Sequence, residues 1–181
     1  MHTVIRSHEI CAGHRVVGHE SKCRHLHGHN YVFHFKVQPN RPARLVMSGS
    51  LTGGKLKIKD PDLDTVGRVV DFSVVKTTLC QWLEDNWDHK FLHWDQDQLI
   101  QALIVEPANY DWQKTGEAEF ERDARDFKNS LVPLSFNPTA ENLAQYMVDV
   151  IGPQLLTEHG VELVACTIEE TSKCHVEYTK Q

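Results

Sequence analysis

Between residues 27 and 37 the chain reads HGHNYVFHFKV, an alternation that only a half-buried β-strand satisfies. His27, His29, Tyr31, Phe33, Phe35 and Val37 fall on one face. Gly28, Asn30, Val32, His34 and Lys36 fall on the other. Successive side chains of a strand point to opposite sides of a sheet, so this segment commits the protein to a sheet with one apolar face. It also sets two histidines at the start of that strand, directed the same way. Residues 3–14 read as a second strand, with Ile10, Ala12 and His14 on one face, and a polar loop over 15–26 joins the two.

Downstream, Gly49, Gly53 and Gly54 mark a turn, and 64–70 reads as a strand running into Val69-Val70-Asp71-Phe72. Asp71 or Ser73 is expected to cap a helix through about 86, with Val75, Leu79, Trp82 and Leu83 as its apolar stripe. A second helix starts at Asn137-Pro138-Thr139, carries Leu143, Ala144, Met147, Val148 and Ile151 at helical spacing, and is expected to end at Gly152-Pro153. Residues 161–170 return to strand, with 174–179 as a pairing partner. Between the helices lies an insert at about 94–136, rich in charged and amide residues. Its 118–131 stretch is expected to form a helix with Phe120, Ala124, Phe127 and Leu131 inward. Strands, helix, insert, helix, strands is an α+β order: an antiparallel sheet with two helices packed on one face. At 181 residues the protein is read as a single domain, 1–181, with room for a real core.

Composition narrows the function. A formal charge of -6 argues against general nucleic-acid binding, which calls for a basic stripe, while leaving room for a phosphorylated small substrate. No stretch approaches the ~20 apolar residues of a membrane span. The start, MHTVIRSHEI, lacks the apolar segment of a secretory signal, so a cytoplasmic location is expected. Five cysteines without paired spacing then read as free thiols. The histidines are the anomaly: eight of twelve fall within residues 2–34, which points to metal.

His27 and His29 share a strand face, and His14 ends a strand able to pair antiparallel to theirs. Three imidazoles with an open fourth position describe a catalytic zinc site, although ligand type alone also admits Ni, Cu or Fe. His8 and His19 stand in reserve. A His-x-His pair alone is weak evidence, since histidines are often satisfied by backbone partners or by solvent. Cys23, between Lys22 and Arg24 and four residues before His27, has two readings. It is a base or nucleophile beside an open zinc, or a fourth ligand closing a structural site. Asp88-His89 offers an imidazole oriented by a carboxylate. Glu170 shares a face with Val164, Cys166 and Ile168; it either pairs with a basic residue or accepts two hydrogen bonds from an amino-pyrimidine edge.

Taken in order, Ala12-Gly13-His14, Cys23-x-x-x-His27-Gly28-His29-Asn30-Tyr31, Val70-Asp71-Phe72, Asp88-His89, Pro138-Thr139-Ala140-Glu141-Asn142 and Glu170-Thr171 resemble the 6-pyruvoyltetrahydropterin synthase / 6-carboxytetrahydropterin synthase family. The resemblance covers most of 5–92 and 136–179. It implies the tunnelling fold, with antiparallel strands and two helices per subunit assembled as trimers and commonly hexamers. It further implies 7,8-dihydroneopterin triphosphate as substrate and Zn2+ held by His14, His27 and His29. Cys23 would be the proton-abstracting base, Asp88 and His89 its relay, and Glu170 the anchor of the pterin ring. Sites in this family lie between subunits, so Cys23 and Asp88-His89 are expected to meet across two subunits. The Cys-x-x-x-His-Gly-His spacing is similar to that of the bacterial queuosine-pathway enzyme, which makes 6-carboxytetrahydropterin and releases acetaldehyde. The biopterin-pathway synthases have a longer gap, and a third subgroup has Glu where Cys23 stands. The sequence departs from the family pattern at Ile10, Gly13, His93 and Ser172 and in the length of its insert.

Three other readings remain: a 6-pyruvoyltetrahydropterin synthase that stops before cleavage of the substrate's side arm, a non-catalytic zinc- or pterin-binding relative, and an unrelated zinc hydrolase. No HExxH segment supports the last.

Overall fold

The computed structural model of the protein describes residues 2–40, 51–52, 55–56, 60, 62–104 and 117–181. The long alternating segment forms β2 (His27–Pro39), and Val4–His14 forms β1. Tyr31, Phe33, Phe35 and Val37 are fully buried. Burying four such side chains contributes roughly 10 kcal/mol, comparable with the net stability of a whole domain. A one-residue slip would turn all four outward, so this row fixes the register of the sheet.

Two short strands, β3 (Leu51–Thr52) and β4 (Lys55–Leu56), pair with each other. The Gly49, Gly53 and Gly54 turn lies outside the described residues. The strand expected over 64–70 is instead a series of turns. The Asp64 carboxylate accepts from the Val66 and Arg68 amides and from Arg68 Nε, so local bonds take the groups that a strand would pair.

The first long helix, α1, runs as Phe72–Val75, a π-helical stretch Lys76–Cys80 and Gln81–Asn86. Asp71 caps it, accepting from the Ser73 amide at 2.9 Å. Val75, Leu79 and Leu83 are fully buried and Trp87 nearly so, while Trp82 is half-buried. A spacing of four drifts around an ordinary helix, and the wider π turn brings the row back to one face. Strand β5 (Lys90–Trp94), helices α2 (Gln98–Ile104) and α3 (Glu117–Ser130) and strand β6 (Leu131–Leu134) follow. In α3, Phe127 is 45% exposed rather than inward, and Leu131 belongs to β6. The side chains of Phe120 and Ala124 lie outside the described residues.

The second long helix, α4, runs as Ala140–Tyr146, a π-helical stretch Met147–Ile151 and Gly152–Leu156. Gly152-Pro153 therefore sits inside the helix and does not end it. The π stretch directly before Pro153 absorbs the missing amide. Gly152 lets the helix approach the sheet: a Cβ there would lie 2.8 Å from the Leu163 Cβ. The helix closes through a 3-10 turn, Thr157–His159.

Strands β7 (Val161–Thr171) and β8 (Cys174–Thr179) complete a six-stranded sheet of order β6-β5-β1-β2-β7-β8. The four strands β1, β2, β7 and β8 are antiparallel, whereas β5 and β6 add in parallel, so the sheet is mixed. Both long helices bury their stripes in the same apolar cluster, on one face. A bulge where β2 and β7 pair, near Val37, shifts the alternation of β7: Val161 and Leu163 are buried and Val164 is half-buried. Beyond it, Cys166, Ile168 and Glu170 share the helix-facing side.

Candidate metal centre and catalytic pocket

The antiparallel register of β1 and β2 sets His14 opposite His27 and Ala12 opposite His29. Three imidazoles consequently converge, with ring centroids 4.4–5.2 Å apart. One ring nitrogen of each lies within 4.8 Å of the others, and these residues are the one such group of His, Cys, Asp or Glu among the described residues. The His14 Nδ1–H donates to the Pro138 carbonyl at 2.7 Å, and the His27 Nδ1–H donates to the His25 carbonyl at 2.8 Å. Such bonds fix the tautomer that leaves Nε2 as a lone-pair donor. The His14 Nε2 is buried and has no hydrogen-bond partner among the described residues. An orphaned, inward-facing imidazole nitrogen among two others is what a metal ion would satisfy, so the residues fit one. Burial pulls His14 down to about 4, partly opposed by the Pro138 carbonyl and reinforced by His27 and His29. It is therefore neutral, as a ligand must be.

Gly13 is paired with Gly28 between these histidines. A Cβ on Gly13 would lie 2.6 Å from Phe91 Cδ2, so the β5 ring packed there is the reason glycine stands at this position.

Cys23 lies in a 3-10 turn, Lys22–Arg24, and its carbonyl accepts from the Val16 amide at 2.8 Å. Its thiol is not part of the three-histidine set. It lines a cavity of about 350 Å³ together with His14, His19, Glu141, Ile168 and Glu170. Neither reserve histidine joins the cluster: His8 pairs with Glu84 at 3.3 Å, and His19 accepts from the Ser21 amide at 2.9 Å.

Tyr31 is legible in the sequence only as a core residue, yet its hydroxyl is buried without a well-formed hydrogen bond among the described residues. Burial first, then the Glu170 carboxylate and the Cys23 thiol, hold this phenol far above its ordinary pKa. Tyr31 therefore stays a neutral O–H donor beside Glu170. Its place in sequence, two residues after His29 on the same strand face, is the signal that could have found it.

Asp88 and His89 do not line this cavity. They sit beyond the end of α1, where Asp88 Oδ1 accepts from the Cys11 amide at 2.8 Å and Oδ2 meets His89 Nδ1 at 2.9 Å. Against the burial that would raise it, the Cys11 amide and His89 hold the Asp88 carboxyl below its usual range. His89 takes a left-handed backbone (φ 56°) and donates its own amide to the Cys11 carbonyl at 2.7 Å. Its ring, 80% exposed, lines a second cleft of about 520 Å³ with Cys11, Gly13, His27 and His29. Holding a non-glycine residue in this region costs about 1–2 kcal/mol, although histidine is among the side chains that tolerate it.

Comparison with known proteins bears on what this arrangement does. A family described as 6-pyruvoyl tetrahydropterin synthase matches residues 3–181. The 6-carboxy-5,6,7,8-tetrahydropterin synthase of Rickettsia typhi is 28% identical over 166 residues, 92% of this chain and 91% of that protein. The enzyme of the same name from Synechocystis is 34% identical over 82 residues, 45% of this chain and 50% of that one. Among solved structures, an uncharacterized Wolinella succinogenes protein superposes with a TM-score of 0.70 at 20% identity, covering 99% of this chain and 98% of its own. The 6-pyruvoyl tetrahydropterin synthase of Caenorhabditis elegans does so at 0.53 and 21% identity, with 99% and 95% covered. These structures share the fold, which is the tunnelling fold the sequence motifs imply.

Proposed function

From the premise that the chain belongs to the 6-pyruvoyl tetrahydropterin synthase family, we propose that it is a zinc-dependent lyase of the queuosine pathway. It converts 7,8-dihydroneopterin triphosphate to 6-carboxy-5,6,7,8-tetrahydropterin, acetaldehyde and triphosphate. The observation that carries this reading is the joining, in one cavity, of a metal-competent imidazole with Cys23 and Glu170. Support for the product comes from the curated relatives of that name across more than nine-tenths of the sequence.

On this reading His14, His27 and His29 hold Zn2+, which when bound acidifies the C–H and O–H groups on the side arm of the substrate. Glu170 accepts from the N–H groups of the pterin edge, and the neutral Tyr31 hydroxyl stands beside it as a donor. Cys23 takes the proton from the substrate's side arm. Asp88 and His89 carry protons to or from the Cys23 of a neighbouring subunit, which accounts for an exposed imidazole. The protein works in the cytoplasm as a homo-oligomer. Among the described residues no helix is long and apolar enough to cross a membrane.

The test is to incubate the zinc-loaded protein with 7,8-dihydroneopterin triphosphate and identify products by mass spectrometry. Acetaldehyde with a 6-carboxypterin is the expected result. A 6-pyruvoyl product would place the protein on the biopterin branch, and no turnover would overturn the reading.

A further inference from the structure

The insert at about 94–136 has no counterpart in the chemistry above, but both of its ends touch the segment between the metal ligand and Cys23. At its entrance, Asp97 is 2% exposed, and its Oδ2 lies 3.2 Å from Arg15 Nε. Among the described residues neither atom makes a hydrogen bond, so the two buried groups meet as a close ion pair. Asp97 is itself fixed: Oδ1 accepts from the Leu99 amide at 3.0 Å, and the Asp97 amide donates to the Trp94 carbonyl at 3.0 Å. At its exit, β6 delivers Asn137. The Asn137 side chain pairs with both backbone groups of Val17, accepting from the amide at 2.9 Å and donating to the carbonyl at 2.8 Å. Its own carbonyl accepts from Asn142 Nδ2 at 2.9 Å, which ties it to α4.

Four consecutive residues thus do four different things. His14 presents a metal ligand, Arg15 meets Asp97, Val16 binds the Cys23 carbonyl and Val17 is held by Asn137. A loop this polar and half-exposed has no apolar core of its own to fix it. Its position relative to β1 is set by these contacts, one ion pair and the hydrogen bonds of Val16 and Val17. Proton transfer needs reacting atoms within hydrogen-bond reach, and displacement by about 1 Å can cost on the order of a hundredfold in rate.

We propose that Asp97 and Asn137, at the two ends of the insert, are positioning residues that hold the Cys23 loop at its working distance from the metal ligands. The proposal rests on Cys23 being the proton acceptor. It predicts that loosening either clamp slows the chemical step without releasing the metal or weakening substrate binding.

Asp97→Asn and Asn137→Asp are nearly isosteric and remove, respectively, the charge facing Arg15 and the donor to the Val17 carbonyl. Each zinc-loaded full-length variant is compared with the parent for zinc content, KM, kcat and the rate at which iodoacetamide alkylates Cys23, read by peptide mass spectrometry. Zinc content and KM are expected to stay within about twofold of the parent, with kcat falling about tenfold or more and Cys23 alkylated faster. Arg15→Lys, which keeps the charge and loses the Nε contact, replaces either variant that does not fold. Parent-like kcat and alkylation in the variants would overturn the proposal. So would loss of zinc in step with kcat, which would assign these residues to the metal site's integrity. A parent that does not turn over 7,8-dihydroneopterin triphosphate refutes the reaction instead, and the alkylation rates alone then decide the clamp.

Discussion

Each histidine of the metal set has two nitrogens, and the protein uses them differently. Backbone carbonyls of Pro138 and His25 take the Nδ1–H groups of His14 and His27, which turns the remaining nitrogens into donors toward one point. On the proposed roles, His27→Ala loses zinc, while Cys23→Ala keeps it and loses about 10²–10⁴-fold in turnover. Metal analysis alongside kinetics checks both, and zinc leaving with the thiol would make Cys23 a ligand. His14 also links stability to pH. Its folded pKa of about 4 lies below the unfolded value of 6.5. The unfolded protein therefore binds the proton first, and stability present above pH 6.5 is lost as pH falls toward 4. For this one group the loss at pH 5 is roughly 2 kcal/mol. Urea melts of metal-free protein at pH 7 and pH 5 measure it, and His14→Asn should show a correspondingly smaller difference.

Among the elements, α4 shows packing overruling local preference. Helix propensity alone favours Gly152→Ala by about 1 kcal/mol. The added Cβ would meet Leu163 at 2.8 Å, and overpacking of this kind costs about 1–3 kcal/mol. The substitution is expected to destabilise by about 1 kcal/mol net, read from the urea midpoint; a stabilised variant would mean that α4 can lift off β7 at no cost. The π stretches of α1 and α4 were invisible in the sequence, because four-residue spacing of apolar residues is compatible with an ordinary helix over one or two turns. The strand that 64–70 suggested was displaced by Asp64, whose carboxylate gathers the backbone donors around it. Strands β5 and β6 leave no signal in the sequence for a different reason. They are short, and parallel pairing depends on a neighbour distant in sequence rather than on a local turn.

At the scale of the whole molecule, Cys23 and His89 line two separate clefts of the one chain. If the site is shared between subunits, Cys23→Ala and His89→Ala protomers should complement each other. Unfolding and co-refolding the two inactive variants together is expected to restore part of the activity. No recovery, in assemblies shown by native mass spectrometry to be mixed, would confine each site to one subunit. Size measurement by light scattering should accordingly give an oligomer.

The sequence by itself determined the α+β class, the two long helices, the β1–β2 pair and the three metal-competent histidines. All of these rest on short-range periodicity, since alternation on a strand or helical spacing fixes which side chains share a face. It also named Cys23 and Glu170, through motif order. What only the tertiary structure decided is which of these faces meet. Pro138 became a partner of His14, 124 residues away, only because α4 begins beside the end of β1. Tyr31 became a neighbour of Glu170 because β2 pairs with β7. The insert became a clamp because Arg15 and Val17 find partners at both its ends. Contacts between segments far apart in sequence depend on how apolar faces pack, and no local pattern encodes that.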